Sequence, residues 1–222
     1  MSRKQHTPIE RKFFSVFYKK VISIEYKGGG KNIIEEQFDK PDFAFSWGNK
    51  RIGVELSSID DEHLRKSIGS YRVDKPTKAK KKVAESIENN IPHMIINKKI
   101  HINNDLFNKV LKKLEKYHKY LEGHDGVLLV LHCEYVFSED FARVLKYKLN
   151  HFLISRNCLY EKVFLICILP KKIYCRKVFD KKRIKIMNLP RHLRDNMEIS
   201  EDYRVMYVPY SKNNIDISEL LK

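Results

Sequence analysis

The chain has little cysteine: four residues in 222, at Cys133, Cys158, Cys167 and Cys175, with no CxxC pair and no partner motif of histidines. That spacing excludes a disulfide framework and a zinc knuckle and leaves buried or incidental thiols. The nine histidines include no HExxH or comparable pair, so the sequence offers no zincin-type helix. Long apolar runs are missing as well. The opening MSRKQHTPIERKFF lacks the apolar core of a signal peptide, and GVLLVLHC is far too short to span a bilayer. The expectation is a cytoplasmic chain with no membrane partner. No internal repeat, low-complexity tract or convincing linker interrupts it. A hydrophobic content of 42% over 222 residues then predicts a single domain across 1–222 with a substantial core.

Negative charge is scarce relative to positive. Lysine and arginine number 44 against 28 acidic residues, a net charge of +16. That exceeds what solubility requires and points to a polyanionic partner, with nucleic acid first and an anionic membrane or ribosomal surface behind it.

Thr7-Pro8-Ile9-Glu10 has the form of a helix start, with Thr7 as N-cap and Glu10 completing a capping box. The helix is predicted to run to about Ile24. Three β-type runs follow, NIIEEQF, DFAFSW and KRIGVELSS, separated by turn residues. Beyond a polar stretch the pattern predicts a helix from Pro76 to about Asn89 and a weak strand pair around HMIINKKIHI. The segment DLFNKVLKKLEKYHKYL sets Leu106, Phe107, Val110, Leu111, Leu114, Tyr117 and Leu121 on one helical face. GVLLVLHCEYV reads as a strand buried on both faces, a helix starts at Ser138, and KVFLICIL and YRVMYVPY add two strands. The order predicts an α/β fold, a central mixed sheet flanked by helices.

Within the meander, Gly48-Asn49 suits a two-residue hairpin turn. Paired residues then sum to 97: Trp47 with Lys50, Phe45 with Ile52, Phe43 with Val54, and Asp42 opposite Glu55. Alternation sets Phe43, Phe45, Trp47, Ile52, Val54 and Leu56 on a core face. Asp42, Ala44, Ser46, Arg51, Gly53, Glu55 and Ser57 fall on the other, where the small residues leave space for an approaching group. Two carboxylates about 4 Å apart repel by roughly 4 kcal/mol at an effective dielectric of 20. A divalent cation would offset that, as would Arg51 or a nearby lysine. Two carboxylates with waters and phosphate oxygens make the usual surroundings of Mg²⁺.

At these residues the sequence resembles the PD-(D/E)XK nuclease superfamily, the restriction-endonuclease-like fold. Pro41-Asp42 matches the "PD", GVEL carrying Glu55 matches the "(D/E)XK" strand, and the order helix, three-strand meander, helix, strand matches the core, over roughly 7–135, with the helix and strands of 138–222 as additions. The resemblance implies a Mg²⁺ or Mn²⁺ ion held by Asp42, Glu55 and the carbonyl of Leu56. Glu36 is the choice for a further ligand because it shares the parity of Asp42, with Glu35 and Glu10 behind it. His6 occupies a place where cap-snatching members use a ligand, but an exposed terminal histidine is the simpler reading. Position 57 is serine where the family has lysine. A relocated lysine is expected, Lys66 ahead of Lys40, the latter falling opposite Ser57. The implied activity is endonucleolytic hydrolysis of nucleic acid, DNA ahead of RNA, with host defence and restriction as fitting roles. Double-strand cutting would fit a homodimer. The alternative is a nuclease fold with a degraded site that binds nucleic acid within a larger complex.

KPTKAKKK adds Lys75, Lys78, Lys80, Lys81 and Lys82 near the start of a predicted helix, where the helix dipole disfavours positive charge unless an anion is bound. The helix from Asp105 adds Lys109, Lys112, Lys113 and Lys116. Both clusters are candidate phosphate contacts.

Overall fold

The computed structural model describes residues 7–26, 34–36, 41–60, 96–100, 104–133, 139–169, 172–189, 191–194 and 201–205. The chain, expected as one domain, divides into two compact units: Met1–Ile59 with Asn103–Met197, and Asp60–Ile102 with Glu198–Lys222. Lys66 and Lys75 to Lys82 belong to the second unit and lie outside the described residues, as do Lys40, His6 and the helix expected from Pro76.

Helix α1 spans Pro8–Phe17 and opens with the capping box: Thr7 N donates to Glu10 Oε2 at 2.7 Å, and Glu10 N donates to Thr7 Oγ1 at 3.2 Å. A π-helical turn, Tyr18–Ile22, and a last α-turn, Ser23–Glu25, continue it. The extra residue in the π turn shifts the apolar stripe, so Val21, Ile22 and Tyr26 are buried while Ile24 faces solvent.

The main unit is built on a six-stranded mixed sheet in the order β1-β2-β3-β5-β6-β7. Strands β1 (Ile34–Glu36), β2 (Phe43–Trp47) and β3 (Lys50–Ser58) form the antiparallel meander. Its hairpin register is the expected one, Phe43 with Val54, Phe45 with Ile52 and Trp47 with Lys50, and Gly48 takes the positive φ the turn needs. Helices α2 (Asn104–Glu115) and α3 (Tyr117–Leu121) then lead into β5 (Gly126–Cys133), parallel to β3. Helix α4 (Glu139–Ser155) leads into β6 (Lys162–Ile168), parallel to β5, and β7 (Ile173–Asp180) returns antiparallel along β6. A short turn, α5 (Arg191–Arg194), follows.

Against one face of the sheet, Phe13, Phe14, Phe17, Val21, Ile22 and Tyr26 pack on Phe43, Phe45, Ile52, Val54 and Leu56 and on the matching row of β5 and β6. Phe14 stacks on Phe43 with ring centroids 3.9 Å apart. Trp47, at the hairpin tip, is partly exposed.

Three expectations change. Where the sequence predicts a strand pair near residue 100, the described residues hold one strand, β4 (Ile96–Ile100), paired antiparallel with β8 (Glu201–Val205) in a separate two-stranded sheet of the second unit. The described start of the YRVMYVPY run, residues 203–205, therefore lies outside the main sheet. The second face of the hairpin is also covered, since Ala44, Gly53, Glu55 and Ser57 are all buried.

Candidate active site

Asp42 lies one residue before β2, half-buried, and its Oδ2 accepts a hydrogen bond from Leu56 N at 2.7 Å. The aspartate thus folds onto the residue that follows Glu55, and both carboxylates act electrostatically on Lys113. Glu55 is only 3% exposed. The register pairs Glu36 with Phe43 and Glu35 with Ala44.

The space expected beside Gly53 is filled. A Cβ placed there would lie 2.6 Å from Pro41 Cγ and 3.3 Å from His124 Cδ2. Gly53 therefore lets the ring of Pro41 rest directly on β3, and that close approach fixes where the next residue, Asp42, begins. Gly53→Ala should push Pro41 off the strand at a cost of about 1–3 kcal/mol and reduce any activity that depends on Asp42. Unchanged thermal melting would refute the packing role.

Glu55 has a partner that sequence reasoning did not single out. Lys113 of α2 forms an ion pair and hydrogen bond with Glu55 Oε1. Residues Leu106, Val110 and Tyr117 are buried at spacings of four and seven along α2 and α3, and Lys113 falls in phase between the last two. A lysine inside an apolar stripe was the available signal, hidden by the neighbouring lysines. Lys112 and Lys116 face solvent instead.

Two tyrosines complete the cluster. Tyr120 on α3 lies beside the pair, its ring centroid 5.8 Å from Lys113 Nζ, and feels the charges of both Glu55 and Lys113. The hydroxyl of Tyr160, fully buried before β6, donates to the backbone carbonyl of Lys113 at 2.8 Å and tethers α2 at the turn that carries the ammonium.

Burial alone would lower the pKa of Lys113, but the facing Glu55 carboxylate, with Tyr120 and Asp42 adding to it, more than offsets this and the net shift is upward. Burial, reinforced by Glu55, pushes Tyr120 up to about 12. Tyr160 is raised by burial first and by Glu55 next. At neutral pH the cluster holds an ammonium and two neutral phenols.

No known family, curated protein or solved structure matches this chain. The chemistry therefore rests on the cluster itself. Among the described residues no group of three or more histidine, cysteine, aspartate and glutamate side chains converges as a ready metal cage. A pair of carboxylates nonetheless fits a hard cation such as Mg²⁺, which keeps most of its waters and takes substrate oxygens for the rest. A carboxylate has about four lone-pair sites, so pairing with Lys113 leaves Glu55 acceptor capacity. The four cysteines are free, and burial raises Cys158 to about 12 and Cys175 to about 11, so neither is a ready nucleophile.

Proposed function

We propose that this chain is a metal-dependent endonuclease of restriction-endonuclease-like fold that hydrolyses phosphodiester bonds, in DNA ahead of RNA. The observation that carries the reading is Lys113 on Glu55. It supplies from a helix the cation absent at Ser57 and completes a set of two carboxylates and one lysine. The element order supports it too: a helix, an antiparallel meander, helices, then a strand parallel to the third of the meander. The net charge of +16 suits a polyanionic substrate.

Asp42 and Glu55, with the Leu56 carbonyl, would hold Mg²⁺ or Mn²⁺. When bound, such a cation polarises a phosphoryl oxygen and makes water a nucleophile near neutral pH. Lys113 keeps its proton and offers charge-assisted hydrogen bonds to a non-bridging phosphate oxygen or to a water beside it. Tyr120, a neutral phenol, borders the Glu55–Lys113 pair. Tyr160 and the Pro41–Gly53 contact fix the two elements on which these groups stand.

The depth of Glu55 and its pairing with Lys113 also suit the alternative, a module that binds nucleic acid without cutting it. Incubation with supercoiled plasmid, single-stranded DNA and RNA, in Mg²⁺, Mn²⁺ or EDTA, separates the two. Cleavage is expected only with the divalent ions. Full cleavage in EDTA would overturn the mechanism, and salt-sensitive binding with no cleavage of any substrate would favour the binding module.

A further inference from the structure

After β7 the chain runs KKRIKIMNL, residues 181–189, with no carboxylate. Lys181, Lys182, Arg183 and Lys185 are exposed, as are Ile184 at 63% and Ile186 at 59%. Among the described residues none of the four cations is in an ion pair, because the adjacent Asp180 is taken by Lys177. A segment this polar and exposed would ordinarily be a loose loop. Here it is tied down along its length. Lys181 N donates to Glu161 O at 3.0 Å, and Lys182 N donates to Asp180 Oδ1 at 3.1 Å. Asn150 of α4, 1% exposed, donates to Lys185 O at 3.2 Å and accepts from Met187 N at 2.9 Å. The neighbouring His151 Nε2 reaches Met187 O at 3.1 Å, and buried Leu189 closes the far end.

A buried asparagine that uses both ends of its amide on one surface segment makes that segment a rigid strap. The strap holds four like charges within five positions, an arrangement that repels itself unless an anion faces it. We propose that residues 181–186 form a docking strap for the phosphodiester backbone of nucleic acid, with Ile184 and Ile186 as apolar contacts to sugars. The lipid surface is the weaker match, since interfacial anchors bury a continuous apolar face with Trp, Phe or Leu and the strap has two isoleucines between cations. The strap sits on α4, whose Phe152 packs on Phe107 of α2 at 4.9 Å between ring centroids. It thus extends the helical layer that carries Lys113. The inference shares its partner with the nuclease reading but needs none of its chemistry.

The test is binding of a labelled 20-base-pair DNA duplex in EDTA across a KCl series. It compares the wild-type chain, a strap variant (Lys181→Gln, Lys182→Gln, Arg183→Gln, Lys185→Gln) and a charge-matched control on α1 (Arg11→Gln, Lys12→Gln, Lys19→Gln, Lys20→Gln). Each lost phosphate contact flattens the logarithmic salt slope by about 0.9. The strap variant should lose roughly 2–4 units of slope and at least about tenfold in affinity at 0.1 M salt, while the control changes by less than about one unit. Equal losses in both variants would mean diffuse charge and no strap, and an unaffected strap variant would equally overturn the proposal. A strap variant that keeps DNA binding but loses vesicles containing 30 mol% phosphatidylserine would reassign the segment to membranes. All the replaced side chains are on the surface, so melting temperatures should match the wild type. If cleavage never occurs but the strap variant still loses slope, the strap stands and the nuclease reading falls.

Discussion

Replacing Lys113 with alanine should destabilise the protein by about 3–5 kcal/mol, because it leaves a carboxylate buried without its partner. It should also lower cleavage by roughly 10²–10⁴-fold, the range for a group that positions or moves a proton. The stability effect should be asymmetric. The Glu55 side chain is 4% exposed and stands on a sheet strand, whereas Lys113 is 26% exposed on a four-carbon stem that can swing outward. Glu55→Ala should therefore cost less stability than Lys113→Ala, although it should lower cleavage at least as much. The double variant Glu55→Gln, Lys113→Met removes both charges and should recover most of the lost stability while cleavage stays absent. Denaturant melts of the four proteins decide this, and an unchanged midpoint for Lys113→Ala would show that the ion pair contributes nothing. Lys66→Ala and Lys40→Ala are the necessary comparisons. If Lys66→Ala lost cleavage at wild-type stability while Lys113→Ala kept it, the relocated lysine would be Lys66.

How much of this was legible follows from the range of each signal. The hairpin was readable because its determinants are local. Alternation from Phe43 to Leu56 fixes which residues share a face, and Gly48-Asn49 fixes the register, so the pairing from Phe43 with Val54 to Trp47 with Lys50 follows from counting. The capping box at Thr7 is readable for the same reason. The partner of Glu55 was not, because 58 residues separate it from Lys113 and helical spacing says which residues share a face, not what that face meets. Strand β7 escaped notice because Arg176 and Lys177 break its apolar pattern. Charges of that kind are what an edge strand uses against unwanted pairing, and its ladder is further disturbed by an irregularity at Val163 and Phe164. The pairing of β4 with β8 joins segments about a hundred residues apart, beyond any local pattern.

Asp42 offers the sharpest separation of chemistry from folding. Its carboxylate has a structural duty, accepting the hydrogen bond from Leu56 N, and would have a chemical one as a cation ligand. Asparagine can perform the first, since its amide oxygen accepts from an N–H, but lacks the negative charge the second needs. Asp42→Asn should therefore melt within about 1 kcal/mol of the wild type, the scale of a single retained hydrogen bond. Its cleavage rate should fall by roughly 10³-fold or more, about 4 kcal/mol of lost transition-state stabilisation. Asp42→Ala should lose the same activity and in addition about 1–3 kcal/mol of stability, because Leu56 N is left without its acceptor. Duplex binding in EDTA should persist in both variants, since the proposed docking strap of residues 181–186 is left intact. Cleavage by Asp42→Asn at the wild-type rate would leave Asp42 a purely structural residue and remove the pair of carboxylates on which the nuclease reading stands.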